Sequence, residues 1–232
     1  VTAAGRAPAS SASTTWAEEA TARAWAAGDD LHDLLDLPRR LAVSVASADL
    51  GEISSVVDIG SGPGDFLAVA LERSASARGL WTDVSPVMEI LARTRLGGFG
   101  NRVQFVLTDL ADMRRAVPAG SADLLVSSRV THHLGQEALG AFYRDAAAVL
   151  RPGGWLANLD HVAVGEPWAG RLRRARSEFA ASRRATHRHP HPLPTVEQHL
   201  AGLAAADFTD VALPWRSFWT VLVLAKSRPD RP

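Results

Sequence analysis

The tightest constraint on the fold is an apolar, β-branched run, "VVDI" at residues 56–59, that breaks at once into three glycines at alternate positions, Gly60, Gly62 and Gly64. A strand that ends in such a turn brings bare backbone closer to a ligand than any Cβ permits. A helix starting behind the turn offers free N–H groups, the place where a pyrophosphate would sit. The dinucleotide fingerprint, however, is G-x-G-x-x-G, with its last glycine at the helix start. Here the spacing is G-x-G-x-G, and Asp65 stands where that glycine belongs. A carboxylate there competes with phosphate for the same N–H groups, and Asp58 adds negative charge at the mouth of the loop. The turn therefore suits a ligand that brings positive charge and no phosphate.

Further apolar runs of strand length lie at residues 80–82, 103–107, 124–126 and 155–159, separated by helical stretches at 66–73, 86–95 and 136–150. In the last of these, Leu139, Phe142, Ala146 and Val149 form the stripe of a half-buried helix. Strands alternating with helices predict a parallel sheet covered on both faces. Two more strand-like segments, 211–215 and 219–225, are separated only by "RSF", too short for a crossover, so this pair is antiparallel. Before the sheet, residues 16–50 read as a helical cap interrupted at Pro38, and residues 1–15 as a disordered Ser/Thr/Ala-rich segment. Residues 166–194 form an insertion, arginine-rich and then His/Pro-rich.

At 232 residues and 47% hydrophobic, the chain is of a size and composition for one globular domain over residues 16–232. Its 25 basic and 25 acidic residues cancel, leaving no global field to draw in nucleic acid. The absence of cysteine excludes disulfides, thiolate catalysis and Cys-based metal sites. No apolar run reaches the ~18 residues needed to cross a bilayer, and "VTAAGRAPASSASTT" lacks the basic and apolar regions of a signal peptide. A cytoplasmic protein with no membrane partner is expected.

The stretch "VVDIGSGPG" resembles motif I of the class I S-adenosylmethionine (AdoMet) methyltransferases, acid-x-Gly-x-Gly-x-Gly. AdoMet carries a sulfonium and an ammonium, in keeping with the charge argument. "LWTDVSP", "VQFVLTDLADM", "SADLLVSS" and "LRPGGWLANLD" resemble the family's second to fifth strands, in order, with Pro152, Gly153 and Gly154 as a turn. The resemblance covers roughly residues 16–226. It implies a Rossmann-like, seven-stranded, mostly parallel sheet with helices on both faces and an antiparallel C-terminal hairpin strand. It also implies AdoMet as cofactor, leaving as S-adenosylhomocysteine. Asp58, Gly60, Ser61, Gly62, Gly64 and Ser127 would contact it, Asp83 and Val84 would meet the ribose, and Asp109 and Leu110 the adenine.

The segment after the fourth strand, "SSRVTHHLGQEAL", faces the transferable methyl in this family. His132 occupies a place similar to the histidine base of small-molecule O-methyltransferases with His-Asp-Trp there, although this chain reads His-His-Leu. Such a histidine also caps or packs the following helix. His161 is the second candidate for catalysis, with Asp160 as its orienting acid. Arg129, His133 and Trp16 are candidate substrate contacts; Arg129 can equally cap a strand and His133 serve packing. No metal site is expected. Metal-dependent catechol-type relatives place an acid after the fourth strand and Asp-Asn after the fifth, where Ser127, Ser128, Arg129 and "NLDH" stand here. The Asn/Asp-Pro-Pro-aromatic signature of amino-methylating nucleic-acid enzymes is missing too. Arg171, Arg173, Arg174, Arg176, Arg183, Arg184 and Arg188 form a cationic face, either solvated or a lid for an acidic substrate. His187, His189 and His191 read as a loop more readily than a chelate.

These observations lead to a methyl transfer from AdoMet to a small-molecule acceptor, O-methylation favoured, of the kind found in secondary metabolism, in a chain that can pair as a homodimer. The rivals are an AdoMet enzyme running a cyclisation or rearrangement, a binding module without activity, and a nicotinamide dehydrogenase. Asp65 and the antiparallel tail argue against the last.

Overall fold

The computed structural model of the chain describes residues 32–179 and 191–229. Along the chain run α1 (His32–Leu50), β1 (Ser55–Ile59), α2 (Asp65–Arg73), β2 (Arg78–Asp83), α3 (Pro86–Leu96), β3 (Val103–Leu107), α4 (Met113–Ala116), β4 (Ala122–Ser128), α5 (Gln136–Val149), β5 (Leu150–His161), α6 (Trp168–Phe179), α7 (Val196–Ala205), β6 (Thr209–Ser217) and β7 (Thr220–Lys226). The seven strands form one sheet in the order β3-β2-β1-β4-β5-β7-β6. β1 to β5 pair in parallel. β7 runs antiparallel between β5 and β6. This is the Rossmann-like, mostly parallel sheet with an antiparallel C-terminal hairpin that the sequence predicts.

Side chains alternate across the sheet with period two, and the alternation separates two cores. Val56, Leu124, Val126, Ala157 and Leu224 face α1, α2 and α3. Val57, Leu125, Leu156 and Val223 face α4, α5 and α7. A buried Val, Leu or Ile contributes about 1.5–3 kcal/mol, so these stripes, rather than loop chemistry, hold the strand register.

Two boundaries differ from the sequence expectation. Pro38 lies inside α1 without ending it; the packing of Leu35, Ala42, Val43 and Ala46 into the core outweighs the one backbone bond that proline removes. Pro152–Gly154 is a bulge inside β5 instead of a turn before it. β5 pairs with β4 at Leu150 and again from Trp155 onward, and Gly153 takes φ +75° to carry the excursion. Of the expected disordered segment 1–15 and helical cap 16–50, only residues 32–50 are among those described, as α1. The insertion contributes α6, and its residues 180–190, with Arg183, Arg184, Arg188, His187 and His189, lie outside the described residues. No helix among the described residues is long and apolar enough to cross a membrane.

The chain leaves β1 towards β2 and β3 on one side, then returns to place β4 on the other. At such a switch point the loops after β1 and β4 splay apart and open a crevice at the carboxyl ends of the strands.

Candidate active site

The loop after β1 is built by hydrogen bonds that require its glycines. Gly60, Gly62 and Gly64 all have positive φ, 61°, 56° and 90°. The Ser61 N–H donates to the Thr82 carbonyl at 2.9 Å, and the Gly62 N–H donates to Asp83 Oδ2 at 2.9 Å. The indole N–H of Trp81 donates to the Gly62 carbonyl at 2.9 Å. β2 therefore grips the loop at three successive residues, 81, 82 and 83. Asp58 holds it from below: its Oδ2 accepts from the Ser61 hydroxyl at 2.6 Å and from the Leu67 N–H at 3.1 Å.

Above this loop lies a cavity of about 240 Å³. Gly60, Gly62, Asp83 and Val84 form one side, Asp109 and Leu110 the far end, and Arg129, Val130 and His133 the opposite wall. Asp83 Oδ1 accepts from the Ser85 N–H at 2.9 Å. Asp109 caps the turn that follows it, its Oδ1 accepting from the Ala111 N–H at 3.1 Å. Among the lining residues the acidic side chains are Asp83, Asp109 and Asp145.

Burial pushes Asp58 up to about 7, against the Ser61 and Leu67 hydrogen bonds and the Arg39 charge that lower it. Burial likewise raises Asp83, opposed by the backbone N–H groups of Ser85, Gly62 and Val84. Asp58 Oδ1 is buried and has no hydrogen-bond partner among the described residues. A loop of bare backbone, an unpartnered carboxylate oxygen beneath it and an acidic cavity wall fit a cationic, phosphate-free ligand such as AdoMet.

Asp65 does not take part in this field. Its Oδ1 lies 2.6 Å from Arg95 Nε and its Oδ2 3.8 Å from the buried Arg39 Nη2, on α3 and α1. The charge argument drawn from the sequence therefore rests on Asp58, Asp83 and Asp109 rather than on Asp65. Three other residues expected at the cofactor are placed differently. The Ser127 hydroxyl donates to the Ile59 carbonyl at 3.0 Å inside the sheet, and Ser128 lines the cavity in its place. Ser61 spends its hydroxyl on Asp58, and Gly64 packs against Leu96, where an added Cβ would come within 2.7 Å of Leu96 Cδ1.

The ends of β4 and β5 form the second half of the site. Asp160, fully buried, is its hub. Its Oδ2 accepts from the Val130 N–H (3.1 Å), the Thr131 hydroxyl (2.7 Å) and the His132 N–H (3.0 Å). Its Oδ1 accepts from His132 Nδ1 at 2.5 Å and from the His161 N–H at 2.7 Å. Burial alone would raise this carboxyl; the His132 charge and hydrogen bond, then His161 and Thr131, more than offset it and hold Asp160 well below the usual carboxylate range. An ionised carboxylate only accepts, so Nδ1 of His132 carries a proton directed at Asp160, and Nε2 is the ring nitrogen turned away from that bond.

Asp160 was expected to orient His161; its side chain instead pairs with the ring of His132. His132 itself is only 4% exposed, behind His133, which lines the cavity. The three rings lie in a row, tilted against one another, His133–His132 at 3.9 Å and His132–His161 at 5.1 Å between centroids. Nδ1 of His161 is 3.0 Å from the Thr220 hydroxyl. Burial lowers His161 to about 4, the His132 charge and then those of Arg129 and Arg176 adding to the fall against the pull of Asp160. Arg129 sits at φ +60°, a left-handed conformation uncommon for a residue other than glycine, with its N–H on the Leu159 carbonyl. Arg176 of α6 lies over the Trp219 ring at 5.5 Å. Trp16 lies outside the described residues. Among the described residues no cluster of His, Asp or Glu is arranged to hold a metal ion.

Trp81, Thr131 and Asn158 were not singled out from the sequence. The available signal was polarity inside a buried strand: "WLANLDH" puts Asn158 and Asp160 on the same face of β5, and both are fully buried.

Residues 56–154 match a family described as a methyltransferase domain. The chain is 34% identical over 144 residues to a trans-aconitate 2-methyltransferase of Azoarcus sp. (strain BH72), covering 57% of this chain and 53% of that protein. It is 31% identical over 187 residues to the trans-aconitate 2-methyltransferase of Methylobacterium nodulans, covering 80% and 69%. It thus spans about half the length of the first of these curated relatives. Among solved structures, an O-methyltransferase family protein from Burkholderia thailandensis superposes with TM-score 0.67 at 19% identity, over 91% of this chain and 60% of that one. Human N-acetylserotonin methyltransferase in complex with SAM gives TM-score 0.67 at 15% identity, over 96% and 60%. These structural likenesses establish the shared fold. With the glycine loop, the strand order and the sequence relatives all in agreement, the chain belongs to the class I S-adenosylmethionine-dependent methyltransferases.

Proposed function

We propose that the chain transfers a methyl group from AdoMet to an oxygen of a small, carboxylate-bearing acceptor. The observation that carries this reading is the juxtaposition of two half-sites: the acidic, glycine-walled cavity and, against its opposite wall, the Asp160–His132 pair flanked by Arg129. AdoMet, when bound, supplies a methyl on a positively charged sulfur. Gly60, Gly62 and Asp58 are assigned to its amino-acid end, Asp83 and Val84 to the ribose, and Asp109 and Leu110 to the adenine. Arg129 and Arg176, both close enough to His161 to depress it, support an anionic acceptor. The substrate named for both curated relatives, trans-aconitate, is consistent with that chemistry.

For a hydroxyl acceptor, Nε2 of His132 takes the proton while Asp160 stabilises the imidazolium, and His161, neutral near pH 7, shapes the wall beside it. A second reading, favoured by the relatives' names, makes a carboxylate the methylated group. That oxygen is already ionised and needs no base.

Calorimetry with AdoMet, S-adenosylhomocysteine and NADH tests the cofactor half. Each hydrogen bond to a charged group is worth about 1.5–3 kcal/mol, so Asp83→Ala is expected to weaken AdoMet binding about 10- to 100-fold. Binding of NADH alone would overturn the reading. Turnover with trans-aconitate as probe, followed by formation of S-adenosylhomocysteine and of a product heavier by one methylene, tests the acceptor half. Recovery of a demethylated cofactor separates methyl transfer from a rearrangement. In His132→Ala, a loss of about 10²–10⁴ in kcat marks a hydroxyl acceptor, and a loss under about tenfold marks a carboxylate. His161→Ala assigns the role between the two histidines.

A further inference from the structure

Behind the His132–Asp160 pair runs a chain of buried polar groups along one face of the sheet to α5 and α7. The Thr131 hydroxyl is 2.7 Å from Asp160 Oδ2, and Asn158 Nδ2 is 3.0 Å from Thr131 Oγ1. The same Nδ2 is 3.3 Å from the Tyr143 hydroxyl on α5, which is 2.6 Å from His199 Nδ1 on α7. All six residues, His132 to His199, are buried.

The direction of every bond follows from one end. Asp160 is ionised and only accepts, so Thr131 donates its single proton there. Thr131 Oγ1 must then accept from Asn158, which fixes the amide with its NH₂ towards Thr131. The same NH₂ donates to the Tyr143 oxygen. Burial raises the Tyr143 phenol well above its ordinary value, so it keeps its proton and donates to His199 Nδ1. Burial lowers His199, with Asp160 and His132 both felt at that distance; its neutral ring accepts at Nδ1 and carries its proton on Nε2.

Within this chain of groups two buried atoms, Asn158 Oδ1 and His199 Nε2, have no hydrogen-bond partner among the described residues. An apolar pair of the same shape would avoid that cost, since a buried polar atom left unmade costs about 1–3 kcal/mol. Packing alone does not account for an arrangement that leaves an atom unsatisfied at its middle, on Asn158, and another at its end, on His199.

We propose that Asn158 is a positioning residue for His132. It donates to Thr131, which polarises the Thr131 hydroxyl towards Asp160 and limits how strongly that carboxylate pulls on the Nδ1 proton of His132. Tyr143 and His199 fix the plane of the Asn158 amide. The proposal rests on the reading of His132 as the base, but the chain itself can be observed without an acceptor. The titratable groups placed against His132 include Asp160, His133 and His161, with His199 felt further along the chain, and none of these is altered in the variants below.

The test is proton NMR of the full chain, following the low-field resonance of His132 Nδ1–H, assigned by its loss in His132→Gln. Thr131→Val removes the direct donor to Asp160 and serves as the reference for a downfield shift, because the carboxylate becomes the stronger acceptor. Asn158→Leu is expected to shift the resonance in the same direction by less, through weaker cooperative polarisation. Tyr143→Phe, a conservative change, is expected to broaden it as the amide gains a second orientation. AdoMet binding and urea unfolding, measured on the same samples, establish that each variant is folded. If Thr131→Val moves the proton while folded Asn158→Leu and Tyr143→Phe keep the wild-type position and width, Asn158 acts only in packing and the proposal is overturned. Failure of wild-type AdoMet binding or turnover would sink the methyl-transfer reading and leave this spectroscopic result standing.

Discussion

Gly60 shows how one backbone angle commits the site. Its φ of +61° lies where a Cβ costs about 1–2 kcal/mol, and a Cβ built there overlaps the Cγ2 methyl of Val130. Gly51 has φ +75° and nothing within 4 Å of a built Cβ, so it isolates the angular cost. Gly51→Ala is expected to lower stability by about 1 kcal/mol and Gly60→Ala by about 2–4 kcal/mol. In urea titrations, Val130→Ala should recover part of the Gly60→Ala loss and none of the Gly51→Ala loss; equal costs at the two glycines would rule out the contact with Val130. Asp58 gives a second test. Folding raises its pKa from the ordinary 3.8 to about 7, so the folded chain holds this proton more tightly than the unfolded one. The resulting stability is complete below about pH 4 and is lost as pH rises through about 7. Asp58→Asn keeps an acceptor for Ser61 and Leu67 but does not titrate. The wild type should therefore lose stability relative to the variant between about pH 4 and 7 and run parallel to it above, by a few kcal/mol at most; curves parallel throughout would show that Asp58 is not perturbed.

Among the elements, the starts of the central strands are tied by Asp123. Its Oδ2 accepts from the Ser54 and Ser55 N–H groups at 2.7 and 2.9 Å, and its Oδ1 from Arg151. One side chain thus aligns β1, β4 and β5 at the end opposite the cavity. α7 is held differently, by a capping box in which the Thr195 side chain accepts from the Gln198 N–H and the Gln198 side chain accepts from the Thr195 N–H. Thr195→Ala is expected to cost about 1 kcal/mol in chemical denaturation, and Thr195→Ser to restore most of it; an Ala variant with wild-type stability would show that α7 is held by packing alone. The positions of α2, α3 and α5 and the existence of β1 to β5 were legible in the sequence, because each carries its own period. The ends were less so. β4 extends to Ser128 and β5 to His161 past their apolar runs, because neighbouring strands complete their hydrogen-bond ladders whatever the side chain. Pro152–Gly154 read as a turn for a related reason: a bulge inside a strand and a turn before it use the same residues, and only the partner strand distinguishes them.

For the whole molecule, the switch between β1 and β4 brings together half-sites that the sequence keeps far apart. Gly60, Asp83 and Asp109 were legible because each follows its own strand, and strand ends in a parallel sheet converge on one edge. The pairing of Asp160 with His132, of Asp65 with Arg39 and Arg95, and the exchange of Ser128 for Ser127 were not. Each depends on which way a side chain turns after the strands have docked, and no periodicity encodes that. This division predicts how the molecule responds to its ligand as a unit. A ligand that binds only the folded state stabilises it by about 2.7 kcal/mol at a hundredfold excess over Kd. For a domain of this size each kcal/mol moves Tm by about 2–4 °C, so AdoMet at that excess should raise Tm by about 5–10 °C, and S-adenosylhomocysteine should do likewise. Asp83→Ala, tested at the same AdoMet concentration, should lose most of the shift, since its weaker affinity removes the excess. Asp160→Asn changes the other half-site and should keep the AdoMet shift even where its own Tm is lower. If Asp160→Asn abolished the shift while Asp83→Ala kept it, AdoMet would belong at the β4–β5 end and the assignment of the two half-sites would have to be reversed.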